Sequence, residues 1–257
     1  MTEQSQARPA RAPAVPLVTI DPYISCWSLK DRLTDDWPRH WTGTRMALYG
    51  VLRVDGEPYR FMGPDEELER AARQISCEVH ATRTIYVFEA GPVELTVTFT
   101  SPAIADDLEL VSRPVCYLTL SAAARDGASH VVAAYVDMTG DWVTNHPGEW
   151  VTWANETLGD LAVLSMRADP QRVLEEHGDY RRIDWGTAFI AGRVGAVEAC
   201  VANVARARPA FLSRGTLSGA AMKQSSPNTV QLGSFPDRRT ARHKRLIHCH
   251  RTPNSAN

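Results

Sequence analysis

The sequence predicts an all-β chain, an antiparallel β-sandwich followed by a basic, disordered C-terminal tail. Three observations predict it. Apolar and polar residues alternate with a period of two over most of the chain, which places one apolar face on each of several short strands. Clusters of Gly, Pro, Asp and Asn separate these runs at short intervals, as sandwich turns do. Helical periodicity is confined to two short stretches, neither long enough to organise a helical domain.

The elements follow in order. Residues 1–16, rich in Ala, Pro and Arg, form a disordered lead-in. The sandwich spans 17–222. "MALYGVLRVDGEPYRFMG" is a hairpin turning at Asp55-Gly56. In "QISCEVHATRTIYVFEAG", Ile75, Cys77, Val79 and Ala81 alternate with polar neighbours, and Ile85 and Val87 continue the apolar face beyond a slip. In "PVELTVTFTSP", Val93, Leu95, Val97 and Phe99 form an apolar face opposite Glu94, Thr96, Thr98 and Thr100. The "EAGP" between them is hairpin chemistry, because Gly91 accepts positive φ and Pro92 presets the exit. "RPVCYLTLSAAA" and "SHVVAAYVDMTGDW" flank a reversal at Asp126-Gly127. "GEWVTWAN" pairs with "DLAVLSMRA" around "ETLG", and "TAFIAGRV" with "AVEACVAN" around Gly195. The helical-looking stretches are 65–73 and 169–178.

Composition narrows the function classes. A hydrophobic fraction of 44%, a charged fraction of 23% and a net charge of −2 are those of an ordinary soluble protein, with no electrostatic case for a nucleic-acid or membrane partner. No apolar run is long enough to span a bilayer, and the first residues lack the apolar core of a signal peptide, so the expected compartment is the cytoplasm. The five cysteines are widely spaced without a CxxC pair, and reduced, buried thiols are expected. No phosphate-binding glycine loop, GxSxG elbow or HExxH is present, and neither a cofactor nor a metal is expected.

Two loops carry residues suited to a site. "DPYISCWSLKDRLTDDWPRHWTG" (21–43) holds Asp35 and Asp36, which could work as a carboxylate pair, and His40, which could shuttle a proton. Arg39 lies beside them, and Trp27, Trp37 and Trp41 could form a ligand platform. The same residues could equally seal a sandwich edge and cap turns. "MTGDWVTN" places Asp141 and Trp142 in a strand-end loop, a common position for function. Asp184-Trp185 is a further Asp-Trp neighbour, and indole N–H bonds to carboxylates would account for such pairs structurally. Catalytic residues are otherwise unassigned. The stretch 223–257 carries seven Lys or Arg against one Asp, with His248-Cys249-His250 lacking a zinc-ligand spacing, and is expected to be an unstructured tail.

Several of these motifs together resemble one family. "PLVTIDPYISCWSLKDRLTDDWPRHWTG" and "GVLRVDGEPYRFMG", then "TRTIYVFEAGPVELTVTFTSP", "DDLELVSRPVCYLTL" and "GDYRRIDWGTAFIAG", are similar in kind and order to the start of the glutaminase A proteins of filamentous fungi and bacteria. The resemblance covers about residues 14–215. It implies a supersandwich-type N-terminal domain and, for the family, hydrolysis of L-glutamine to glutamate and ammonia. It also implies a helical-hairpin domain as partner in intact relatives, with the active cleft on that domain and sandwich loops closing one side. Fungal relatives are typically secreted. Against this pattern, the chain has its basic tail where the helical domain should begin, as a frameshift would produce. The fragment is therefore expected to be inactive alone, with Asp35, Asp36, Arg39, His40, Trp41, Asp141 and Trp142 facing a cleft. The alternative is a stand-alone module that binds carbohydrate or docks a helical partner.

Overall fold

The computed structural model describes residues 12–217 except 66, 147, 176, 177, 179–181 and 183, together with the backbone of four strand segments between 226 and 252. Two antiparallel sheets face one another, and neither closes into a barrel. The larger contains β6 (Arg73–Val79), β7 (Arg83–Ala90), β8 (Val93–Thr100) and β9 (Val115–Ala124), and β11 (Trp150–Leu158), β12 (Leu161–Asp169) and β13 (Thr187–Arg193). The smaller is built on β4 (Leu48–Val54), β5 (Glu57–Met62), β10 (Val131–Thr139) and β14 (Val201–Asn203). A three-stranded sheet of β1 (Val15–Thr19), β2 (Ser25–Ser28) and β3 (Arg39–His40) lies beside them.

The expected sandwich is therefore present, and three hairpins fall where the turn residues put them. Asp55 and Gly56 both take positive φ (51° and 92°) between β4 and β5, the geometry of a tight hairpin turn. Gly91 joins β7 to β8 at φ 60°, and Gly159 lies between β11 and β12 at φ 61°. The reversal at Asp126-Gly127 has a different consequence. β9 pairs with β8 whereas β10 pairs with β4, so this turn carries the chain from one sheet to the other.

The main core lies between the sheets. Leu48, Leu52, Phe61, Val136 and Met138 of the smaller sheet meet Phe88, Leu95, Val97, Phe99 and Leu164 of the larger, all at most 4% exposed. Each such side chain stabilises the fold by about 1.5–3 kcal/mol relative to exposure. Alternation on β8 is as expected, with Val93, Leu95, Val97 and Phe99 buried. On β7 it is reversed: Thr84, Tyr86, Phe88 and Ala90 take the core side, and Ile85 and Val87 point outward. A bulge between Gln74 and Ser76 resets the register, and the larger aromatic surfaces win the interior. Cys77 and Val79 pair with Tyr86 and Thr84, yet both are exposed because β6 is the edge strand.

A one-turn helix, α1 (Leu108–Ser112), precedes β9, and the other face of the smaller sheet is covered by α2 (Val204–Arg214), making a third layer. Tyr49, Val51 and Tyr135 alternate with the core-facing residues and pack with Ala207 and Phe211 of the helix. Asn203 caps the helix by accepting the Ala205 N–H, and Gly215 ends it in the left-handed conformation at φ 70°. Arg53 of β4 donates to the carbonyls of Phe211 and Leu212 at the helix C-terminus.

Three element expectations are corrected. The described residues of 65–73 form no helix, because Asp65 caps a turn through the Glu67 and Leu68 N–H groups. Arg60 and Arg70 to Ala72 then exchange backbone hydrogen bonds that draw the segment alongside β5. In 169–178 the described residues hold the end of β12 and a turn at 173–175, and no helix. Val201–Asn203 does not pair with β13; an isolated bridge from Val194 to Val197 ends that excursion, and β14 joins the smaller sheet. β1 begins at Val15, inside the expected lead-in. Most of the expected tail lies outside the described residues. Among its backbone segments, Val230–Leu232 pairs with β10 and β14, and His248–Thr252 with β13 and β9.

Candidate functional site

Of the two loops singled out in the sequence, the first, 21–43, leads directly into Arg45, which meets the second at Asp141. The first folds back on itself through backbone bonds from His40 N to Thr44 O and from Met46 N to Pro38 O, which aims Arg45 at the strand-end loop after β10. That loop opens with a single 3₁₀ turn, Gly140–Trp142. Arg45 grips Asp141 with Nε at 2.7 Å and Nη2 at 3.4 Å, and the Thr139 hydroxyl donates to the same carboxylate at 2.7 Å. The carboxylate is thus surrounded by donors, an arrangement for holding two loops together.

A cleft of about 300 Å³ opens beside this pair. Thr44 and Arg45 line one wall; Asp141, Thr144, Asn145 and His146 line the other, with Arg182 beneath. The second wall is held from below. Glu149 accepts the backbone N–H groups of Asn145 and His146 at 2.7 and 3.2 Å, and Arg172 bridges Glu149 to the buried Asp184. Arg182, itself buried, donates to the Thr144 carbonyl. The Asn145 side-chain Nδ2 is buried without a hydrogen-bond partner, a condition that costs about 1–3 kcal/mol and that a bound ligand could relieve.

The remaining candidates are placed as follows. Asp36 accepts the Trp37 N–H at 2.8 Å and both Nε and Nη2 of Arg39 at 3.2 and 3.1 Å. Burial pushes its carboxyl up, but the Arg39 and Trp37 hydrogen bonds outweigh this and hold it below the usual range. Asp35 is exposed on the adjoining turn. His40 is 1% exposed, with Nε2 at 2.8 Å from the Pro22 carbonyl and Nδ1 at 2.9 Å from the Thr42 hydroxyl, so both ring nitrogens serve the loop. Trp41 is 58% exposed, its indole N–H bound to the same Pro22 carbonyl. Trp142 is buried and donates to the Ala47 carbonyl at 2.9 Å. Of the Asp-Trp neighbours, Trp142 donates its indole N–H to a carbonyl where a carboxylate had been suggested, and the indoles of Trp27 and Trp41 bond to a hydroxyl and a carbonyl.

Sequence reasoning thus found Asp141 and missed Arg45, Asn145, His146 and Arg182. Of these, "TNH" directly after "GDWV" carried a usable signal, a run of polar side chains within the strand-end loop. Arg45 and Arg182 carried none, being arginines among many. Among the described residues, no group of three or more His, Cys, Asp or Glu is arranged to hold a metal ion. Nor is any described helix long and apolar enough to cross a membrane.

The layered sandwich is a fold shared with a protein of known structure. A bacterial glucoamylase crystallised with acarbose superposes with a TM-score of 0.57 at 9% identity, over 97% of this chain and 34% of the glucoamylase. Relatives in sequence are more specific. Glutaminase A of Aspergillus oryzae is 31% identical over 192 residues, 71% of this chain and 27% of that protein. A protein named probable glutaminase from Arthroderma benhamiae is 27% identical over 196 residues, 67% of this chain and 22% of its own length. Residues 82–235 match the domain of unknown function DUF5127, and residues 1–72 match the domain of unknown function DUF4964. The chain belongs to the DUF5127 family, and the relatives above are named glutaminase A and probable glutaminase, in line with the resemblance of the sequence motifs. It spans about a quarter of the length of those relatives.

Proposed function

We propose that these residues are the N-terminal β-sandwich of a glutaminase A-like hydrolase, and that by themselves they do not hydrolyse glutamine. The observation that carries the reading is the extent of the match: about seven-tenths of this chain aligns with only about a quarter of a named glutaminase. The site chemistry supports it. Amide hydrolysis needs an activated nucleophile or water and donors for the oxyanion. The cleft supplies donors, while its carboxylate, Asp141, is committed to Arg45 and Thr139. The sandwich then serves as a scaffold whose Arg45 and Asp141 loops close one side of an active cleft borne by a helical domain.

Two measurements test this. Ammonia release from L-glutamine by the purified chain is expected to equal the blank; steady turnover would refute the claim that it is inactive alone. Replacing the matched region of the Aspergillus oryzae enzyme by this chain's residues is expected to keep glutaminase activity. A folded chimera with no activity on glutamine would refute the family role.

A second reading, a carbohydrate-binding module, draws on the exposed Trp41 and on Tyr23, 47% exposed with its ring 6.4 Å from that of Trp185. It requires tryptophan fluorescence to shift on titration with soluble oligosaccharides, and a flat titration removes it.

A further inference from the structure

We propose that the cleft between the Arg45 and Asp141 loops is a recognition site for the carboxylate of a small organic acid. The inference is independent of the reading above, since it needs no hydrolysis and no second domain.

The argument begins with uncommitted donors. Arg45 uses Nε and Nη2 on Asp141, and its side chain is 45% exposed, so the two hydrogens of Nη1 remain available at the mouth of the cleft. Asn145 lines the same cleft, and its Nδ2 has no acceptor although it is buried. The terminal torsion of an asparagine is broad, so a small rotation presents those hydrogens to a ligand without breaking any bond. The backbone beneath it is already fixed by Glu149. The site is therefore preformed and short of acceptors.

Charge selects the ligand class. Among the described residues lining the cleft, Asp141 is the one carboxylate and is already held by Arg45, so the donors left over beside the Arg45 cation call for a ligand that brings anionic acceptors. A carboxylate offers two coplanar oxygens, one for an arginine fork and one for an amide N–H. A doubly charged phosphate would meet stronger repulsion from Asp141 than a singly charged carboxylate. A neutral amide offers one acceptor and brings two further donors into a cleft already rich in them.

The experiment uses the full chain in calorimetric titrations at neutral pH with glutarate, L-glutamate, glutaramide and inorganic phosphate. Glutarate and L-glutamate are expected to bind saturably with millimolar constants, glutaramide not at all, and phosphate more weakly than either acid. Asn145→Leu removes an unsatisfied buried donor, so it should leave the melting temperature unchanged or raised while weakening glutarate about tenfold or more. Arg45→Lys keeps the charge but loses the fork, and should weaken glutarate by a similar factor. Absence of saturable binding by both acids would overturn the proposal. So would phosphate binding as tightly as glutarate, glutaramide binding as well as glutarate, or affinities unchanged in both variants.

Discussion

Replacing Arg208 by Met should destabilise the protein more than almost any other single change under α2. Arg208 reaches from the helix to Asp137 on β10, with Nε and Nη2 at 3.1 and 3.2 Å from the two carboxylate oxygens. Asp137 is fully buried and the Arg208 side chain is 13% exposed, so water cannot substitute for either partner. The guanidinium also lies 3.9 Å above the Tyr49 ring and 5.2 Å from that of Trp37. Burial pushes the Arg208 pKa down, and the Asp137 charge and hydrogen bonds more than restore it, so the group stays charged. Removing it strands a carboxylate in the interior, which costs about 3–5 kcal/mol. Domains of ordinary stability have about 5–15 kcal/mol in total, so a large share is lost. At about 2–4 °C per kcal/mol for a chain of this size, the melting temperature should fall on the order of 10 °C. Urea denaturation of Arg208→Met, Asp137→Asn and the double variant forms a complete cycle. The double variant should recover part of the loss, because the stranded charge is gone. A loss below about 1 kcal/mol for Arg208→Met, the range of exposed pairs, would refute the assignment of this pair as a buried anchor for the helix.

Other predictions rest on separate features. His130 bridges the β4–β5 hairpin turn and the β9–β10 crossover turn, 2.6 Å from Asp55 and 3.1 Å from Asp126, and its bond to Asp55, then that to Asp126, raises its pKa. That stabilisation is fully present below about pH 6.5, the unfolded value, and is lost as pH rises through the folded pKa. Melting temperature should decline over that window in the natural chain, and the decline should flatten in His130→Asn; equal slopes would contradict the bridge. Gly50→Ala should cost roughly 1–3 kcal/mol by urea denaturation, because a Cβ there would lie 2.4 Å from the Phe61 ring. Among the described cysteines, Cys77 should react first with a thiol reagent, since Cys26, Cys116 and Cys200 are buried and burial, with the Glu198 charge, pushes Cys200 up to about 11. Equal reaction rates for all four would show that the core opens readily.

Some of this architecture is written in short stretches of sequence. The period-two runs on β8, β11 and β12, with Gly91 and the Asp55-Gly56 pair between strands, define hairpins from contacts only a few residues apart, and such contacts form with little dependence on the rest of the chain. The same locality explains the errors. On β7, Ile85 and Val87 alternate as convincingly as Tyr86 and Phe88, and only the opposing sheet decides which set is buried. Helix α2 has an asparagine cap and a closing glycine, but Pro209 and three arginines mask its apolar stripe of Ala207 and Phe211. Its stability comes from the sheet face it covers.

What the sequence by itself determined was the all-β class, three of the hairpins, the family resemblance and the two loops with functional composition. Which strands share a sheet, the third layer under α2, and the cleft itself were decided only in three dimensions. Arg45 and Asp141 are 96 residues apart, and Arg182 and Thr144 are separated by 38. No local pattern marks such pairs, because each residue's role is set by the partner that packing of the two sheets brings to it.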